Sequence, residues 1–84
     1  MSEKLGRLGE LKPGARARII SVGAQGSCSV DLALRLLEMG LLEGAEVEIL
    51  HEAPFGGDPI AVRVRGSVVA LRRGEANAIE VEMQ

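Results

Sequence analysis

The sequence predicts a mainly β domain: a small barrel of five short strands with one α-helix inserted after the first strand. Three observations predict it. Period-2 alternation of apolar and charged residues recurs between glycine-rich turns, one stretch without Gly or Pro instead reads with a helical period, and 84 residues suffice for a single core. Closing five short strands into a barrel removes exposed sheet edges.

Lys12-Pro13-Gly14 signals a turn into the first strand, Ala15 to Val22, where Ala17 and Ile19 alternate with Arg16 and Arg18. Gly23 to Gly26 ends that strand. Glu46 to His51 places Val47 and Ile49 on one face, Glu46 and Glu48 on the other. Ile60, Val62 and Val64 alternate with Ala61, Arg63 and Arg65, and Arg65-Gly66-Ser67 forms a tight turn into Val68 to Arg72. Ile79, Val81 and Met83 alternate with Glu80 and Glu82 to close the domain. Residues 1–10 read as a flexible lead and 11–84 as the single domain.

An internal echo links two of these strands. LKPGARARII (11–20) and LLEGAEVEIL (41–50) share Leu, two residues, Gly-Ala and an alternation, with Gly14 and Gly44 in equivalent turns. Two copies are too few for a solenoid, so they read as similar strand entries in one barrel. Arg16 and Arg18 in one copy match Glu46 and Glu48 in the other. If the strands are neighbours, each cross-strand pair contributes about 0.2–1 kcal/mol.

The helix runs from about Ser29 to Met39, capped by Ser27 or Ser29, with Asp31 at its positive end and Gly40 as its stop. Val30, Ala33, Leu34 and Leu37 form one apolar face; Leu32, Leu36 and Met39 form another nearly opposite. Asp31, Arg35 and Glu38 make the polar strip. A helix lying on a barrel needs one apolar stripe, so loops or another molecule must cover the second. A left-handed Gly40 folds Leu41 back onto Leu36 before Glu43-Gly44 launches the next strand.

Reactive groups are sparse. One Cys and one His cannot supply a structural zinc site, and His51, Glu52 and Asp58 are the weak candidates for a divalent metal. A Cys28–His51 nucleophilic pair lacks an orienting third group, and Gly23-Ala-Gln-Gly26 lacks the rest of a phosphate-binding loop. The expectation is a protein that is no enzyme and carries no cofactor. With net charge −2 and Phe55 as its one aromatic ring, the chain is poorly suited to nucleic acid. Its apolar runs are too short to span a bilayer and its start lacks a signal-peptide core, so a cytoplasmic location without membrane insertion is expected. The loop APFGGDP (53–59) is either a packed lid or a docking tip presenting Phe55. Arg63, Arg65, Arg72 and Arg73 are expected to cluster near the Arg65-Gly66 turn, usually as a solvated face but suited to an acidic partner.

LKPG (11–14), RLLEMGLLEG (35–44), Ala53-Pro54, Gly57 to Ile60 and ALRRGEANAIEV (70–81), in this order over nearly the whole chain, resemble the FeoA family of small cytoplasmic accessory proteins of bacterial ferrous-iron uptake. The resemblance implies a five-stranded Src-homology-3-like barrel, a helical turn at Gly74-Glu-Ala76, and Leu36 and Met39 on the inner side of the helix. Gly14, Leu36, Met39, Gly40, Leu41, Gly44, Pro54 and Pro59 are then structural. The implied partner is the cytoplasmic GTP-binding part of a ferrous-iron permease. The expected contact residues are Val30, Leu34, Arg35, Leu37, Glu38 and Phe55. The alternatives are a metal-sensing module like the barrels of metal-dependent repressors, and a structural protein self-associating through its outer stripe.

Overall fold

The computed structural model describes residues 4–23 and 29–84. Their elements are β1 (Leu5–Arg7), a 3-10 turn (Leu8–Glu10), β2 (Arg16–Val22), α1 (Val30–Glu38), β3 (Glu46–Glu52), β4 (Ile60–Val64), β5 (Ser67–Leu71), α2 (Arg73–Ala76) and β6 (Ile79–Met83). The six strands form one antiparallel sheet in the order β1-β6-β2-β3-β4-β5. The five expected strands and the inserted helix are present. The inward residues of β2 to β6, among them Ile19, Ile49, Val62, Leu71 and Val81, join one core with Leu8, Leu36 and Leu41. One core fed by five strands of a single sheet requires the sheet to curl around it.

The two echoed segments lie side by side and are related by a local two-fold axis at the Ala17–Val47 pair, flanked by Arg16 opposite Glu48 and Arg18 opposite Glu46. Gly14 N–H donates to Ile49 O at 2.8 Å, and its counterpart Gly44 N–H donates to Ile19 O at 2.8 Å. Both glycines need the left-handed region, with φ 92° and 85°. Register shifts fall at equivalent places too, between Ile19 and Ser21 against β6 and between Ile49 and His51 against β4. A bulge bends and twists its strand, so the repeat carries two matched corners of the barrel. Among the expected charge pairs, Arg16 meets Glu48 at 3.9 Å, and Arg63 of β4 meets the same carboxylate at 3.5 Å. Both arginines are largely exposed and the pairs are long, so they contribute little.

The stop of α1 is a complete Schellman motif. Gly40, at φ 93°, donates its N–H to Leu37 O at 3.0 Å, and Leu41 N–H donates to Leu36 O at 3.1 Å. Leu36 and Leu41 are both fully buried, the hydrophobic contact that accompanies this turn.

Residues 4–10 differ from the expected flexible lead. Leu5–Arg7 pairs with β6, and Leu8 is fully buried. Three residues are too short a strand to show period-2 alternation, so only the Leu5, Leu8, Leu11 spacing hinted at order. The fastening is Arg73, which departs from its expected place in a solvated arginine cluster. Its Nη1 donates to Gly9 O at 2.9 Å and Leu11 O at 2.8 Å, its Nε donates to Gly57 O at 2.7 Å, and its Nη2 pairs with Glu52. Its backbone N–H donates to Asp58 Oδ1 at 2.9 Å. One guanidinium thus ties the N-terminal turn to the β3–β4 loop and to α2. Gly9 permits the approach, since a Cβ there would sit 2.3 Å from Arg73 O.

These contacts set the cost of two substitutions. Gly40→Val should lose about 1–2 kcal/mol through the backbone alone, because its Cβ meets only Arg65 Cδ at 3.9 Å. Gly74→Ala, whose Cβ meets nothing within 4 Å, is the matched control; equal denaturation midpoints for both variants would refute the assignment. Arg73→Met should cost about 2–3 kcal/mol because three carbonyls lose a charged donor. Glu52→Gln should cost under about 1 kcal/mol, the pair being partly exposed. Urea denaturation measures both, and the reverse order of costs would contradict the fastening role.

Candidate functional site

The sequence of α1 decides what it leaves uncovered. Ser29 caps the helix, its Oγ accepting from Leu32 N–H at 3.1 Å, and Asp31 sits in the first turn. The cap and the Gly40 stop hold nine residues in register, from Val30 to Glu38. Leu36 points into the core, with Leu32 and Met39 partly buried against it. The opposite stripe stays in solvent: Val30 is 74%, Leu34 53% and Leu37 41% exposed. These residues, spaced by four and three, form a line about 10 Å long on one side of the helix.

Arg35, at the edge of that line, reaches Glu75 of α2 at 3.4 Å. Glu38 is exposed beside it. Through α2 the helix also approaches the second apolar feature. Arg73 holds Gly57 and Asp58 in the loop whose tip carries Phe55. Phe55 is 90% exposed, so the loop is not a lid packed over the barrel. Ala53 N–H donates to Pro59 O at 3.0 Å and closes the loop's base, where Asp58–Pro59 is cis. α2 is therefore bonded both to α1, through Glu75, and to the loop that carries Phe55, through Arg73.

The metal candidates serve other ends. Glu52 and Asp58 are brought together, but around Arg73, and His51 is exposed on β3. Among the described residues no three His, Cys, Asp or Glu side chains are grouped so as to hold a metal ion. Cys28, Ser27 and the glycine segment beyond Gly23 lie outside the described residues, so the Cys28–His51 pair does too. Of the four arginines expected to cluster, Arg63 faces Glu48, while Arg65 and Arg72 sit at the two ends of β5. Among the described residues no helix is long and apolar enough to cross a membrane.

Sequence reasoning missed Arg73, because a cation spent on backbone carbonyls has no motif of its own. The hint was Asp58, Gly57 and Gly9, whose purpose is visible only once the loops converge.

Residues 6–83 match the FeoA domain model. A curated relative, the Fe(2+) transport protein A/Fe(2+) transporter FeoB fusion protein of Porphyromonas gingivalis, is 38% identical over 92% of this chain, which spans 8% of that protein's length. Among solved structures, a FeoA-like protein from Clostridium acetobutylicum is 32% identical, with 99% of this chain and 90% of that one covered and a TM-score of 0.81. The zinc-complexed FeoA of Stenotrophomonas maltophilia, described as a prokaryotic SH3-domain protein, is 35% identical, covering 89% of this chain and 87% of that one at a TM-score of 0.75. With the barrel, its inserted helix and nearly the whole length matched, the chain belongs to the FeoA domain family.

Proposed function

We propose that this chain is a non-enzymatic accessory of ferrous-iron uptake in the cytoplasm, docking on the cytoplasmic GTP-binding part of a ferrous-iron permease through the outer stripe of α1. The observation that carries this reading is the exposure of Val30, Leu34 and Leu37 on a helix whose other stripe already completes the core. The fusion of a transport protein A segment to a FeoB transporter in the Porphyromonas gingivalis relative supports the choice of partner. Phe55, on the loop that α2 ties down, extends the contact, with Arg35 and Glu38 at its rim.

Docking acts on the partner only through a difference in affinity between the partner's conformations. Covering the exposed parts of the three stripe residues offers about 2.5–5 kcal/mol before the costs of association. A tenfold population shift needs about 1.4 kcal/mol. Association itself costs about 4 kcal/mol or more, so the stripe alone does not hold a complex and the contact needs further residues, among them Phe55, Arg35 and Glu38.

The double variant Leu34→Glu/Leu37→Glu should keep its stability within about 1 kcal/mol, both positions being about half exposed already. Its binding to the permease's cytoplasmic domain, measured by calorimetry, should fall at least about tenfold. Undiminished binding by the folded double variant would exclude this surface.

A further inference from the structure

The sheet has two ends, and they differ. β1, at one end, has three residues, whereas β5, at the other, has five and reads SVVAL, without charge or proline. Short or charged edges resist pairing with further strands; β5 has neither protection. Its outward-facing backbone groups follow from the turn that precedes it. Arg65 and Gly66 both have positive φ, 53° and 84°, and Val64 pairs with Ser67, which makes a two-residue type I′ hairpin with a hydrogen-bonded closing pair. Bonded and non-bonded pairs then alternate, so Val69 bonds to β4 whereas Val68 and Ala70, opposite Arg63 and Ala61, turn their N–H and C=O groups away from it. Among the described residues no backbone hydrogen bond from outside the β4–β5 ladder reaches either residue. Val68 is 57% exposed, and Ala61 and Ala70 floor a shallow, mostly apolar groove of about 240 Å³ walled by Pro54, Pro59 and His51.

The charges at the ends of β5 select its occupant. Arg65 precedes the strand and Arg72 follows it, both exposed, and neither guanidinium has an ion-pair partner among the described residues, as is also true of Arg18 on β2, whereas Arg16, Arg35, Arg63 and Arg73 all do. A second copy of β5 added antiparallel would bring the Arg65 end of one strand to the Arg72 end of the other, and a parallel copy would bring like ends together. Both arrangements oppose cations. A strand with acidic residues on either side of an uncharged centre meets cations with anions.

We propose that β5 is a strand-addition site for an extended, β-branched segment with acidic flanks, supplied by another protein. Main-chain bonds to Val68 and Ala70 give the affinity; Arg65 and Arg72 give the preference for acidic ends. The site uses residues other than those of the α1 stripe, although Arg65 lies beside the stop of that helix, its Cδ 3.9 Å from where a Cβ on Gly40 would sit.

The test uses two synthetic peptides with the same alternating Thr/Val centre, one flanked by paired glutamates and one by paired lysines. Amide exchange read by nuclear magnetic resonance should show Val68 and Ala70 exchanging fast in the free protein and slowing with the glutamate peptide, while Val69 stays slow throughout. The glutamate peptide should bind three- to tenfold tighter at low salt, a margin of about 0.6–1.4 kcal/mol that shrinks as salt rises. Arg65→Glu/Arg72→Glu should reverse the preference, a change that misfolding cannot imitate. The proposal is overturned if neither peptide protects Val68 and Ala70, if both peptides bind alike, or if those amides are already protected in a dimer of the protein itself.

Discussion

The turn from Leu36 to Leu41 decides which side of α1 the barrel takes. Gly40 in the left-handed region returns the chain onto the helix it has just left, and Leu41 N–H bonds back to Leu36 O at 3.1 Å. With both leucines fully buried, α1 has one rotational setting about its axis. Every other property of the helix follows from that setting: Leu32 and Met39 lean on the core, Arg35 reaches Glu75, and Val30, Leu34 and Leu37 face outward. A barrel of this size has room for one stripe, and the second is left for whatever the protein meets.

Two devices make the barrel rigid enough to present that stripe. The first is the local two-fold axis between β2 and β3, where the same short pattern, used twice, supplies two turn glycines, two reciprocal backbone bonds and two bulges. The second is Arg73, whose planar guanidinium serves several carbonyls that converge from the N-terminal turn and the β3–β4 loop. A lysine could not span them in the same geometry, since its ammonium is a single point on a flexible stem. Asp58 and Glu52, residues that a chemist would first suspect of holding a metal, are the acidic half of this fastening.

Much of this was legible in the residues themselves. Alternation located β2, β3, β4 and β6, the Arg65-Gly66 turn located β5, Ser29 and Gly40 bounded α1, and the opposite charges of the two echoed segments fitted a pairing of neighbouring strands that the structure shows. Local signals did not carry the rest. Both faces of α1 are comparably apolar, so periodicity alone could not choose between them; the choice lies in the glycine turn and in tertiary packing. β1 escaped notice because a three-residue strand is defined by its partner β6, not by its own pattern. Arg73 looked like one more surface cation because its partners are backbone carbonyls distant in the chain. The Phe55 loop left two readings open until its exposure removed the packed lid.

The most direct measurement follows the methyl groups of Val30, Leu34, Leu36 and Leu37 by nuclear magnetic resonance with a soluble paramagnetic probe, first alone and then with the permease's cytoplasmic domain. In the free monomer, strong relaxation is expected at Val30, Leu34 and Leu37 and almost none at Leu36. Adding the permease domain should shield the first three and leave Leu36 unchanged. Shielding of Leu34 and Leu37 already present in the free monomer, or unaltered relaxation at all three in the complex, would contradict an outward stripe that docks.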